Sequence, residues 1–235
     1  MNHRSAVHVA TFLAAAGAVA LSPPSATAQP TARPAYAPET GQVRLVTPAW
    51  LAQSPPRLAT GTFTKSFFRV VTDRPEQVAV HQESLLRLQG PRDTLYLRVQ
   101  ERQTAEGVRL DSLLFRARDL VPEPNLLEGF DEANLDLVCV ALAQRGTGEF
   151  LVPTVSRPSG EEVTYRVHVG EPEVIGGAGG PVSAVRVVYM HPSGQAGTLW
   201  VDTREGAVVL EGAQLGNGTT LYAVAEPSRR YTGGG

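Results

Sequence analysis

Apolar residues recur at every second position through most of the chain. In "VTYRVHV", Val163, Tyr165, Val167 and Val169 fall on one face, with Thr164, Arg166 and His168 on the other. "TLYLRVQER" repeats the pattern, setting Leu95, Leu97 and Val99 on one face and Tyr96, Arg98 and Gln100 on the other. A period of two is the spacing of a strand with one buried and one wet face, so the leucine face of this segment is expected toward the core. Further strand segments start at Gln42, Phe63, Gln77, Val108, Ser183, Gly197, Ala207 and Thr219. Turn signals return every eight to twelve residues or so, and the chain reads as mainly β and antiparallel.

One segment departs from that period. From Phe130, "FDEANLDLVCVALAQRGTG" places Leu135, Val138, Cys139 and Leu142 at i, i+3, i+4 and i+7, which is one stripe of a helix. Asp131 suits the N-cap, and Phe130 and Leu135 have the spacing of a hydrophobic staple. Glu132 in the first turn, Arg145 near the end and Gly146 as a stop complete the signals. A short amphipathic helix over 132–144 is predicted, with its apolar stripe laid on the sheet. The candidate inner-face partners are Val163, Tyr165, Val167, Leu199 and Val201.

The charged run "DTREG" lies between two strand-like segments, "TLWV" and "AVVLEG". Asp202 can accept from backbone N–H groups two residues on, and Gly206 suits a turn exit at positive φ. The run therefore reads as a hairpin turn. "GNG" at 216–218 is a second hairpin signal. "IGGAGG" at 175–180 reads as a flexible loop, because the Lys and Ser or Thr of a phosphate loop do not follow it.

The N-terminus begins "MNHR", continues with an apolar run from Val9 to Leu21, and ends in Ala26-Thr27-Ala28. That run is too short to span a bilayer and has the form of a secretory signal peptide, 1–28. A Pro- and Ala-rich leader, 29–40, precedes a single β-rich domain, 41–226, and a flexible tail, 227–235. No Cys stands near the cut to take a lipid, and no later segment is apolar enough to form a transmembrane span. The mature protein is expected in the periplasm or outside the cell.

Composition narrows the chemistry. Cys139 is the only cysteine, so no internal disulfide forms, and its apolar surroundings mark a buried thiol and not a nucleophile. The 21 Lys and Arg and 23 Asp and Glu are spread along the chain, and Lys65 is the only lysine. Without a basic patch, nucleic acid is excluded as a partner. No nucleophile elbow and no paired-histidine zinc helix occurs. His81, His168 and His191 stand on three separate strand segments without ligand spacing, so no metal site is expected. No cofactor and no catalytic residue is assigned, and the protein is expected not to be an enzyme. Trp50 and Trp200 read either as core or as aromatics lining a cavity.

"GTLWVDTREGAVVLEG" resembles the strand–turn–strand of exported Gram-negative β-sheet proteins. "RLDSLLFRARDLVP", "FDEANLDLVCVAL" and "VSAVRVVY" precede it in the order found in uncharacterised periplasmic proteins of unknown function. These are related to the periplasmic lipoprotein-carrier (LolA-like) superfamily. The resemblance implies a strongly curved antiparallel sheet, a half barrel, with one short helix packed on its concave side. In the carriers the cavity between them holds acyl chains, and the family carries no catalytic residues. The expected function is thus a non-enzymatic envelope protein binding a lipid or other hydrophobic ligand between sheet and helix. Leu135, Val138, Leu142 and Trp200 are the expected ligand-binding residues. The alternative is a structural or interaction protein with a self-filled core and no small-molecule ligand.

Overall fold

The computed structural model describes residues 42–71, 74–89, 93–104, 107–123, 129–177, 180–214 and 220–228. The expected signal peptide, the leader, the Asn217 hairpin turn and the tail beyond Ser228 lie outside these residues.

The strands are β1 (Arg44–Leu45), β2 (Gly61–Val71), β3 (Arg74–Gln89), β4 (Thr94–Thr104), β5 (Gly107–Arg116), β6 (Phe130–Asp131) and β7 (Gly148–Val155). They continue with β8 (Glu162–Gly177), β9 (Gly180–Met190), β10 (Ala196–Asp202), β11 (Ala207–Gln214) and β12 (Thr220–Ser228). Two helices are described, α1 (Pro48–Ala52) and α2 (Leu135–Ala143). One open, curved sheet runs in the order β1-β7-β8-β9-β10-β11-β12-β2-β3-β4-β5, with β6 beside β7. Its ladders are antiparallel apart from β1 and β6, which pair with β7 in parallel. β12 pairs with β2, joining the two halves of the chain into one sheet, and runs as far as Ser228, two residues into the segment read as tail.

Helix α2 lies inside the curve. It packs on β8 to β11, and Asp136 in its first turn meets Arg98 of β4, far along the sheet order. The entry forms as its sequence suggests: the Asp131 carboxylate accepts from the Ala133 N–H at 2.8 Å and starts a 3₁₀ turn over Glu132–Asn134. The amphipathic expectation is corrected. Leu135 and every residue from Leu137 to Ala143 are buried, because the sheet wraps the helix on several sides and leaves it no wet face.

Strand β4 corrects a second expectation. Tyr96 and Arg98 are the buried residues, while Leu95, Leu97 and Val99 lie partly exposed on the convex face. Alternation fixes which residues share a face, but it does not fix which face turns inward. Here Tyr96 packs with Phe115, and Arg98 finds carboxylate partners, so the polar-looking face is the concave one. In β8 the apolar face does turn in: Val163, Tyr165, Val167 and Val169 are all buried.

The alternation pattern does not predict β7. "GEFLVPTV" carries Pro153, a residue that argues against an interior strand. Val46 N–H donates to the Leu151 carbonyl, so the odd-numbered backbone groups of β7 point toward β1 and β6. β1 pairs at Phe150 and Leu151, and β6 pairs at Thr154 and Val155. Pro153 occupies the gap between them, where no ladder donor is needed.

The Asp202 turn forms as read. The Asp202 carboxylate accepts from the Arg204 and Glu205 N–H groups at 2.9 and 3.1 Å, and Gly206 has φ 73°. "IGGAGG" is no loose loop over its described part, since Ile175 to Gly177 pair with Gly180 to Val182 across a β8–β9 hairpin.

Candidate functional site

A cavity of about 400 Å³ opens between the concave sheet and the start of α2. β2 contributes Lys65 and Phe67, β3 His81 and Glu83, β4 Arg98 and Arg102. β8 and β9 contribute Tyr165 and Tyr189, β11 contributes Glu211, and the helix start adds Glu132, Leu135 and Asp136. Phe67, Leu135 and the two tyrosine rings form the apolar part of the lining; charged side chains form most of the rest.

The charged groups are linked. Arg98 is only 4% exposed. It donates through Nη1 to the Ala133 carbonyl at 2.7 Å and to Asp136 Oδ1 at 2.8 Å, and through Nη2 to Asp136 Oδ2 at 2.6 Å. Its Nε stands 2.9 Å from Glu83 Oε1, and Lys65 Nζ stands 3.0 Å from Glu83 Oε2. Lys65 also reaches Glu211 at 3.8 Å. Two cations therefore face three carboxylates in a half-enclosed space.

The electrostatics follow from that count. Burial opposes charge on Glu83, yet Arg98 and Lys65 outweigh it and hold its carboxyl at about 2. Burial also opposes charge on Lys65, and Glu83, Asp136 and Glu211 outweigh it, keeping the amine protonated above its ordinary range. Glu211 goes the other way: burial raises its pKa, Lys65 opposes the rise only in part, and Asp136 adds to it. His81 is lowered by burial and by the charges of Arg102 and Lys65.

Of the four residues expected to bind a ligand, Leu135 lines this cavity. Val138 and Leu142 are fully buried in the core behind it. Trp200 lies on the opposite face of β10 from Leu199 and Val201, and its indole N–H donates to Glu173 at 2.5 Å. Trp50 packs on Phe150, with the Arg145 guanidinium 4.0 Å from its ring centroid. The three histidines stand apart: His81 against Phe67, His168 on Glu149, and His191 on Ser193.

Lys65, Glu83 and Arg98 were not singled out as site residues from sequence. The available signals were a lone lysine within "FTKSFF" and an arginine alternating with tyrosine in the apolar stretch "LYLRV".

No family model matches the chain, and no curated protein matches it. Among solved structures, it is similar to a Bacteroides fragilis protein with a YmcC-like fold, at 10% identity and TM-score 0.43, covering 73% of this chain and 96% of that one. It is similar to a β-barrel-like protein with a domain of unknown function from Brucella abortus, at 10% identity and TM-score 0.41, covering 73% and 97%. It is also similar to the hypothetical lipoprotein YmcC from Escherichia coli, at 13% identity and TM-score 0.32, covering 74% and 90%. Likenesses at these scores carry no inference about activity or ligand.

Proposed function

We propose that the chain is an exported, non-enzymatic binding module that holds a small amphiphile between the concave sheet and the start of α2. The observation that carries this reading is the cavity itself: at about 400 Å³ it falls within the range of small-molecule sites, about 300–1,000 Å³. Its lining decides the ligand class. An acyl chain alone would leave the charged groups without solvent. An amphiphile can set its apolar part on Phe67, Leu135 and Tyr189, gaining about 0.8 kcal/mol per buried CH₂, and keep its polar head on the charged side. Export is supported by the apolar run and Ala-x-Ala cut at the N-terminus, which also support a periplasmic or secreted location.

Lys65 and Glu83 support binding over acid–base catalysis, with Glu211, raised by burial, the exception among the lining charges. A general base or nucleophile works best with its pKa near the working pH. Lys65 is driven to stay protonated, Glu83 to stay ionised, and the Cys139 thiol is pushed up by burial in the core.

One observation favours the alternative of an interaction protein without a small ligand. Arg98 already spends its Nη donors on Asp136 and the Ala133 carbonyl and sets its Nε 2.9 Å from Glu83 as an ion pair without a hydrogen bond, so the interior charges largely neutralise one another. Native mass spectrometry of the chain isolated from its own cells separates the two. We expect a discrete non-covalent adduct on the wild type, weakened or lost in Leu135→Trp, which puts a larger ring into the apolar part of the cavity. A bare wild-type mass, unchanged by incubation with envelope lipid extract, would leave the self-filled reading standing.

A further inference from the structure

β5 ends the sheet, and among the described residues no strand lies beyond it. The direction of the backbone groups along β5 can be read from its C-terminal end. Arg116 N–H donates to the Val121 carbonyl, and the Leu114 carbonyl accepts from the Glu123 N–H. Ala117 N–H instead donates to Thr94, at the start of β4. Even-numbered groups of β5 therefore point away from β4, and odd-numbered groups point toward it. The returning segment from Val121 to Glu123 covers the edge at Leu114 and Arg116. Val108, Leu110 and Ser112 point their N–H and C=O groups outward ahead of that cover, and Leu110 is the midpoint of the stretch.

We infer that two copies of this chain pair β5 to β5, antiparallel, about a twofold axis at Leu110. In this register Leu110 faces Leu110 of the second copy, and Val108 faces Ser112, as hydrogen-bonded pairs. Arg109 then faces Asp111 of the second copy, twice, as non-hydrogen-bonded pairs, the kind whose side chains lie closest. The neighbouring registers are excluded by charge: a shift one way sets Asp111 against Asp111, and a shift the other way sets Arg109 against Arg109. Within one copy Arg109 Nε stands 3.3 Å from Asp111 Oδ1, with Arg109 largely exposed, so the charges are available for exchange. Val108 and Leu110 are 60% and 65% exposed. Between Val108 and Ser112 the edge carries no Pro, and its two charges, Arg109 and Asp111, would deter a neutral strand but complement a second copy in this register. The contact is isologous and closes at two copies.

The test measures molar mass by sedimentation at concentrations up to about 0.1 mM, a range that detects weak dimers. The wild type is expected to dimerise. Arg109→Asp, which sets acid against acid across the axis, should weaken the dimer at least tenfold, and Arg109→Asp with Asp111→Arg should restore it. Leu110→Cys, treated with oxidised glutathione, should form a disulfide-linked dimer with release of two reduced glutathione molecules, since facing Cα atoms at about 5.5 Å are within bridging range. Circular dichroism confirms that each variant keeps its sheet. A wild type that stays monomeric throughout, or a dimer indifferent to Arg109→Asp, overturns the proposal. So does a wild type that associates only with lipid vesicles.

Discussion

Arg98 on β4 holds Asp136, in the first turn of α2, through two hydrogen bonds of 2.8 and 2.6 Å. The pair ties one wing of the curved sheet to a helix that packs on the other. Removing the guanidinium leaves Glu83 and Asp136 without their main cation while both remain largely buried. We expect Arg98→Ala to cost about 3–5 kcal/mol, the range for breaking a buried pair from one side. Replacing Arg98 with its linked neighbours, as Arg98→Met and Lys65→Met with Glu83→Gln and Asp136→Asn, should recover most of that loss, because no buried charge among the four is then left without its partner. Denaturant titration measures both; a loss below about 1 kcal/mol in Arg98→Ala would mean that the pair contributes little.

Acid should weaken the fold through Glu83. Its carboxyl sits at about 2 in the folded protein against an ordinary 4.5, so its contribution is fully present above pH 4.5 and is lost as pH falls toward 2. The difference corresponds to roughly 3 kcal/mol as an upper bound. Glu211, raised by burial, has the opposite sign: its contribution is present at low pH and fades as pH rises through its folded value. Stability measured across this range should therefore drop less in Glu83→Gln than in the wild type. Equal slopes for the two proteins would contradict the assignment.

Gly206 is expected to tolerate no side chain. Its φ of 73° disfavours other residues, and a Cβ there would collide with the Arg57 carbonyl. Gly206→Ala should destabilise by more than about 1 kcal/mol. Arg204→Ala and Glu205→Ala, on the exposed tip, should change stability by less than about 0.5 kcal/mol. Thermal melts of the three variants decide the ranking.

Cys139 should react only when the protein unfolds. It is fully buried on a helix without a wet face, and burial pushes its thiol up. A thiol reagent should label the native protein at the rate of global opening, and Val138→Ala or Leu142→Ala, each costing about 2–5 kcal/mol for Leu and less for Val, should speed the labelling. Rapid labelling of the native wild type would place the thiol at the surface.

Alternation and caps made the strand content, the Asp131 helix entry and the Asp202 turn legible in the sequence, because each rests on contacts within a few residues. The facing of β4 was not legible. Tyr96 and Arg98 turn inward because Phe115 lies beside them and Glu83 and Asp136 wait across the sheet and on the helix, partners set by the global fold. The candidate site was half legible for the same reason. The helix–sheet boundary and Leu135 could be read locally, whereas Lys65, Glu83 and Glu211 meet only because β12 pairs with both β11 and β2 and so sets Glu211 two strands from Lys65 on one face. Trp200 shows the converse: an aromatic in an apolar strand, placed by strict alternation on the convex face.

The most direct measurement is an NMR titration of the isotope-labelled protein with the lipid extract of its own cell envelope. Shift changes that saturate at one ligand per chain and centre on Phe67, Leu135 and Tyr189 are expected. Changes confined to the convex face, around Leu86 and Leu97, or none at saturating extract, would contradict a binding site between the sheet and the helix.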